Sequence, residues 1–282
     1  MQAGGKIAVA GATGRVGRHI VDVLKVGGHD VVPMSRSSGV DLVTGKGLAD
    51  ALVDVECVID AASTPSPDQD AATKFFTAAA RNLQQAGERA SVRRIVVVSI
   101  IGIDRFTGGY TRGYGGYFAA KVAHERAMAS GAIPVRILRA AQFHEIIPQF
   151  VDWGTRGEVS HLLEMRIQPV AARTVAQALA ELATAAEPAA VPRSSRAPIW
   201  EIAGPRPEKL VDIARLLVAR RGDPVRIEGM SDPADPDRDV YESGALLPGP
   251  DAILAGPTFQ EWLDSRSARA IATERTRSIT AR

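Results

Sequence analysis

The sequence predicts an α/β protein whose core is a doubly wound parallel sheet, with a small C-terminal lobe. Three observations predict it. Short β-branched runs alternate with helix-period stretches through the first half of the chain. One run, Arg94–Ser99, is apolar on both faces, as a strand covered by helices on either side must be. A glycine-rich turn also joins the first such run directly to the first helical stretch.

The elements follow in order. Lys6–Ala10 reads as a strand and Arg15–Val26 as a helix. Asp30–Ser35 reads as a strand, Lys46–Val53 as a short helix and Cys57–Ala61 as a strand. Residues 70–86 place Ala71, Phe75, Ala79 and Leu83 four apart on one helical face. After the Arg94–Ser99 strand, Tyr117–Ala129 is a helix and Ile133–Leu138 a strand. Arg173–Ala186 and Glu208–Arg220 follow as helices with the strand Ile199–Ala203 between them. Strand–helix alternation of this kind implies right-handed crossovers. Asp232–Asp239 and Pro248–Pro257 are Gly/Pro/Asp-rich loops, and Ser265–Arg282 is an arginine-rich surface tail. The division expected is a nucleotide-binding core over 1–155, a small substrate lobe over 156–265 interleaved with it, and a basic tail over 266–282.

Composition excludes several classes. Hydrophobic residues make up 45% and charged residues 23% of 282, which fits a folded soluble chain. A net charge of +2 is too small for a nucleic-acid binder. The single cysteine, Cys57, rules out an intrachain disulfide and a cysteine-rich metal site; it lies in an apolar run and reads as an inert buried thiol. The five histidines lack metal-ligand spacing, so no metal is expected. No stretch resembles a secretory signal or a membrane span, so the expected location is cytoplasmic.

The chemistry begins at Ala10-Gly11-Ala12-Thr13-Gly14-Arg15-Val16-Gly17. A strand runs into this turn and a helix leaves it, the context that gives such glycines meaning. Gly11 suits the sharp turn, Gly14 offers no side chain to hold off a pyrophosphate, and Gly17 lets the helix lie close to the sheet. Free amides near Arg15 and Val16, with the helix dipole behind them, would face the phosphates. This is a Rossmann-type dinucleotide site. At the end of the second strand the chain reads Met34-Ser35-Arg36-Ser37-Ser38, with no carboxylate before Asp41. A carboxylate there would favour a ribose 2′-hydroxyl, whereas Arg36 among hydroxyls such as Ser35 suits a 2′-phosphate. NADP(H) is therefore expected ahead of NAD(H). The small residues Ala61, Ala62 and Ser63 suit a segment passing under the adenine ribose and pyrophosphate.

Tyr117 and Lys121, four apart on one helix, share a face. Ser99 ends a strand at the carboxyl edge where such sheets bind ligands. A cation beside the phenol would lower its pKa and ease proton exchange, and the serine could orient a carbonyl. Tyr110 and Tyr114 stand nearby, in a stretch with six glycines between Gly102 and Gly116.

On these residues the chain resembles the short-chain dehydrogenase/reductase superfamily, and within it the atypical, NmrA-like branch of NAD(P)-binding proteins. The resemblance runs over roughly residues 5–265. It rests on Gly11–Gly17, on Val97-Val98-Ser99-Ile100-Ile101-Gly102-Ile103-Asp104-Arg105, on Tyr117…Lys121, and on Leu138-Arg139-Ala140-Ala141-Gln142-Phe143-His144-Glu145. It implies that Lys121 holds the nicotinamide ribose, and that Gln142, Phe143 and His144 lie beside the nicotinamide and substrate. The stretch between Ser99 and Tyr117 is longer and richer in glycine than is usual in the branch. His144 and Glu145 are adjacent and point in different directions, so His144 reads as a hydrogen-bonded pocket residue, not half of an acid/base pair.

Three functions remain. The first is an NADPH-dependent oxidoreductase reducing a small carbonyl, quinone or related acceptor. The second is a non-catalytic NADP(H) sensor acting through a protein partner. A sugar-nucleotide epimerase or dehydratase ranks last, because the short C-terminal region leaves little room for a nucleotide sugar. The expected partner is a small-molecule substrate, with no nucleic acid and no membrane; a homodimer is left open.

Overall fold

The structure is a computed structural model that describes residues 4–66, 68–106, 115–185 and 197–266. Its first half alternates as the hydrophobic periods require: β1 (Gly4–Ala10), α1 (Gly17–Val26), β2 (His29–Met34), α2 (Leu48–Ala51), β3 (Cys57–Asp60), α3 (Gln69–Arg89), β4 (Arg94–Ile100), α4 (Gly115–Ala129) and β5 (Val135–Ala140). The remainder runs α5 (Ile147–Gly154), β6 (Thr155–Arg156), β7 (Val159–Leu163), β8 (Arg166–Ile167), α6 (Ala172–Thr184), β9 (Ile199–Ala203), β10 (Glu208–Lys209), α7 (Leu210–Arg221), β11 (Arg226–Met230), α8 (Arg238–Glu242) and β12 (Ile253–Leu254).

Seven strands form one sheet in the order β12-β9-β5-β4-β3-β1-β2, and every pairing in it is parallel. Such a sheet needs helices on both faces. On one, Ile20 and Leu24 of α1 pack with Val175 and Leu179 of α6 against Val96 and Leu138. On the other, Leu48, Leu83 and Met128 from α2, α3 and α4 cover Ile95, Val97 and Ile137. Each such aliphatic side chain contributes about 1.5–3 kcal/mol by leaving water. Chain order reverses at β1, which lies between β2 and β3, so a crevice opens beyond the carboxyl ends of β1 and β3.

A second core gathers Phe150, Leu162, Leu217, Ile227, Tyr241 and Phe259. Around it lie α5, α7, the small sheet β11-β7-β6 and the pair β10-β8. Between these segments α6, β9 and β12 return to the main sheet.

Three expectations need correcting. The buried face of α3 carries Ala72, Phe76, Ala80, Leu83 and Gly87, while Ala71 is exposed and Phe75 half-buried; both candidate rows are rich in alanine, and packing against α4 selects this one. Glu208 and Lys209 do not open a helix but pair antiparallel with Ile167 and Arg166. The stretches 232–239 and 248–257 are not wholly loop, since they hold the start of α8 and β12. Tyr110, Tyr114 and most of the basic tail lie outside the described residues. Among the described residues no helix is long and apolar enough to cross a membrane, and no group of three or more His, Cys, Asp or Glu could hold a metal ion.

Candidate active site at the carboxyl edge of the sheet

The turn after β1 is built by its glycines. Gly11 has φ +72°, and a Cβ there would lie 2.7 Å from the Ala61 carbonyl oxygen and 2.8 Å from the Ala62 Cα. The small segment after β3 thus closes on Gly11 backbone to backbone. A Cβ on Gly17 would collide with the Gly11 carbonyl oxygen and lie 3.0 Å from the Ala12 Cα, so α1 can start this close only from glycine. Gly14 differs: among the described residues a Cβ there meets only the Gly11 carbonyl oxygen, at 3.1 Å. Among the described residues, space beside Gly14 is therefore left free. The N-terminus of α1, capped at Val16, has no side-chain cap and no acidic residue in its first turn, and Thr13 and Gly14 are exposed. These amides and this dipole fit a pyrophosphate.

At the end of β2, Ser35 caps a one-turn 3-10 helix over Arg36–Ser38. Ser35 Oγ lies 2.8 Å from Ser37 Oγ and accepts from the Ser38 amide at 3.2 Å. Arg36 projects into solvent from this ordered turn. Asp41 accepts from the amides of Val43 and Thr44 at 2.8 and 3.2 Å, so the first carboxylate after β2 serves its own turn.

On α4, Tyr117, Lys121 and His124 share one face. The Tyr117 hydroxyl lies 2.9 Å from Ser63 Oγ, joining the expected proton donor to the segment expected to run under the cofactor. Burial pushes the phenol above its ordinary value, outweighing the Ser63 bond and the Arg15 charge, which both pull it down. The expectation that Lys121 lowers this pKa is therefore corrected. Lys121 is buried and its Nζ turns inward, donating to the Val98 carbonyl and to His124 Nδ1, both at 2.9 Å. It also stands 4.7 Å from the centroid of the Phe76 ring. Two of its three N–H donors are thus engaged by hydrogen-bond acceptors and the ammonium faces an aromatic ring.

The network continues inward. His124 Nε2 lies 3.0 Å from Asp60 Oδ2, and Asp60 Oδ1 accepts from the Ala62 amide at 3.0 Å. The ammonium donating to Nδ1 fixes the proton on Nε2, which donates to the carboxylate. Burial and the Lys121 charge keep His124 below the ordinary histidine value. Burial alone would raise Asp60, but the bonds from His124 and Ala62 outweigh it and hold the carboxyl below its usual range. For Lys121, burial brings the ammonium to about 8 against the pull of Asp60 and Glu125. Neither Asp60 nor His124 stood out in the sequence; the signal available was spacing, since positions 117, 121 and 124 follow an i, i+4, i+7 stripe.

Ser99 sits at the end of β4, opposite Arg139 in the register of β5. It is buried, and its Oγ has no hydrogen-bond partner among the described residues. Gln142 Oε1 beyond β5 is also buried without a partner; two orphaned polar atoms at this edge fit a polar ligand. Phe143 is half-buried and bridges Val170. His144 is fully enclosed: its Nε2 donates to the Pro257 carbonyl at 3.0 Å, and its ring packs on Phe259 and Trp262. It is hydrogen-bonded as expected, but it anchors the C-terminal segment. Glu145 caps α6 by accepting from the Ala172 amide at 3.0 Å, so the two neighbours do separate work. Arg139 ties the second and fourth sequence motifs together, bonding Glu125 at 3.0 and 2.8 Å and Asp104 at 2.9 Å.

Comparison with known proteins agrees with this geometry. A family model described as NAD(P)H-binding matches residues 11–186. No curated protein matches the chain. Among solved structures, the chain is similar to a short-chain dehydrogenase/reductase superfamily protein from Agrobacterium tumefaciens with bound NAD, at 18% identity and TM-score 0.62, over 96% of this chain and 99% of that one. It is similar to dTDP-4-dehydrorhamnose reductase from Bacillus anthracis in complex with NADP, at 15% identity and TM-score 0.63, over 92% and 97%. MoeE5 in complex with UDP-glucose and NAD is 18% identical with TM-score 0.64, over 95% and 100%. At these identities the structures establish the fold, and the family model establishes the family. The chain belongs to the NAD(P)H-binding family.

Proposed function

We propose that the protein is an NADPH-dependent oxidoreductase that reduces a small carbonyl, quinone or related acceptor, with Tyr117 as proton donor. The observation that carries this reading is the phenol at the carboxyl edge of the sheet. Its hydroxyl lies 2.9 Å from Ser63 Oγ and, like any phenol, carries its proton at neutral pH. A group held in its acid form is suited to protonate the oxygen of an acceptor as it is reduced. Ser99 Oγ, buried and unpartnered, is suited to polarise the same oxygen. The bound dinucleotide would supply the hydride. The turn Gly11–Gly17, with the amides of Thr13, Arg15 and Val16, would hold its pyrophosphate. Arg36 and Ser35 would take the 2′-phosphate, with Ala61, Ala62 and Ser63 lining the ribose side.

One observation favours the second reading, a non-catalytic sensor of the NADP(H) pool: the Lys121 ammonium is committed to Val98 and His124. NADPH oxidation by the purified protein against carbonyls, quinones and nucleotide-sugar substrates tests both. Turnover that falls about 10²–10⁴-fold in Tyr117→Phe supports the oxidoreductase. Tight NADPH binding with no turnover of any acceptor supports the sensor. Turnover unchanged in Tyr117→Phe removes the phenol from the chemistry.

A further inference from the structure

Arg15 does something the phosphate-binding turn does not require. Its amide belongs to that turn, yet its side chain leaves it. The Nη2 donates to Gln149 Oε1 on α5 at 3.0 Å, and the guanidinium lies close enough to Tyr117 to draw its phenol down against burial. Arg15 and Gln149 are both half-buried. The mouth of the crevice is thus bounded by Arg15 after β1, Ser63 after β3, Tyr117 on α4 and Gln149 on α5.

Among the described residues, charge compensation at this mouth is incomplete. Elsewhere on the same sheet edge, the partly buried guanidinium of Arg139 is met by two carboxylates, Glu125 and Asp104. Among the described residues Arg15 has one hydrogen-bond partner, a neutral amide. A partly desolvated guanidinium facing only an amide keeps much of its dehydration cost, and an anion relieves it. Its planar fork suits an oxyanion such as a carboxylate or a phosphate, and Gln149 holds one arm of that fork still.

We infer that Arg15 anchors a carboxylate carried by the acceptor, so that the substrate of this site is an oxo acid. The inference rests on the oxidoreductase reading above. In the step it implies, the carbonyl carbon gains a hydride from NADPH and the carbonyl oxygen takes the Tyr117 proton. The products are a hydroxy acid and NADP+, the phenolate regains its proton from solvent, and the carboxylate is unchanged.

The test is calorimetric and needs no turnover. Phenylpyruvate and its methyl ester are titrated into protein saturated with NADP+, where neither can be reduced. The wild-type protein is expected to bind the acid about 10- to 100-fold more tightly than the ester, the range for a hydrogen bond to a charged group. Arg15→Gln is expected to bring that ratio close to one, and Arg15→Lys to keep part of it, since charge remains while the fork is lost. A wild-type ratio near one overturns the inference. So does a ratio that survives Arg15→Gln while the Kd for NADP+ rises, which would assign the guanidinium to the coenzyme's phosphates. Turnover of phenylpyruvate with NADPH is measured separately. A preserved acid preference with no turnover of phenylpyruvate or of any acceptor in the panel above would sink the oxidoreductase reading and leave the carboxylate anchor standing.

Discussion

Alanine at Gly14 and alanine at Gly17 should fail in opposite ways. At Gly17 the new methyl runs into the Gly11 carbonyl oxygen and stands 2.8 Å from its carbon. Both are backbone atoms of a turn pinned to the Ala61–Ala62 segment, so the collision is relieved only by moving α1 off the sheet. Overpacking of that kind costs about 1–3 kcal/mol. At roughly 2–4 °C per kcal/mol for a chain of this size, Tm should fall by about 2–12 °C. At Gly14 the methyl meets a single oxygen at 3.1 Å, and φ is not positive, so stability should change by less than about 1 kcal/mol. The methyl instead fills the space left for the diphosphate. Losing one charge-assisted hydrogen bond there weakens NADP(H) about 10- to 100-fold. Urea unfolding and calorimetry on the two variants separate these effects. The reasoning is refuted if Gly14→Ala unfolds more easily than Gly17→Ala, or if Gly14→Ala binds NADPH as tightly as the wild type.

Two further outcomes follow from the site. Arg36→Ala should weaken NADPH about 10- to 100-fold by removing a charged partner from the 2′-phosphate while leaving NADH within about twofold; equal losses for both coenzymes would count against the cofactor assignment. The Lys121 ammonium, at about 8 in the folded protein against 10.5 when free, binds fewer protons than the unfolded chain between those values. Its contribution to stability therefore rises with pH across that window, by about 3 kcal/mol in total. Denaturant unfolding at pH 7.5 and pH 10 should show this gain in the wild type and not in Lys121→Met; parallel slopes would contradict the buried relay.

Much of the nucleotide half was legible because its physics is local. β4 is buried on both faces and so reads as Ile-Val-Val-Val, and the glycines at 11 and 17 are needed where two backbones touch. Boundaries shifted by one to three residues, as where α1 starts at Gly17 instead of Arg15. The lobe was harder to read. Its strands β6, β8 and β10 have two residues each, too short to leave a periodic pattern; β6 turns straight back on β7, and β8 and β10 meet across a long separation in sequence. At the site, Tyr117 and Ser63 could be singled out by residue type, but their hydrogen bond spans 54 positions. The inward turn of Lys121 depends on His124 and Asp60, whose side chains meet across 64 positions of sequence. The role of His144 depends on Pro257, Phe259 and Trp262, which arrive more than 110 residues later.

The central claim is that the turn after β1 cradles the diphosphate of a nicotinamide dinucleotide. It is tested most directly by titrating NADP+, NADPH, NAD+ and NADH into the purified protein in a calorimeter. Saturable one-site binding is expected, with both phosphorylated coenzymes tighter than their counterparts. Absence of a binding isotherm for all four would contradict the claim.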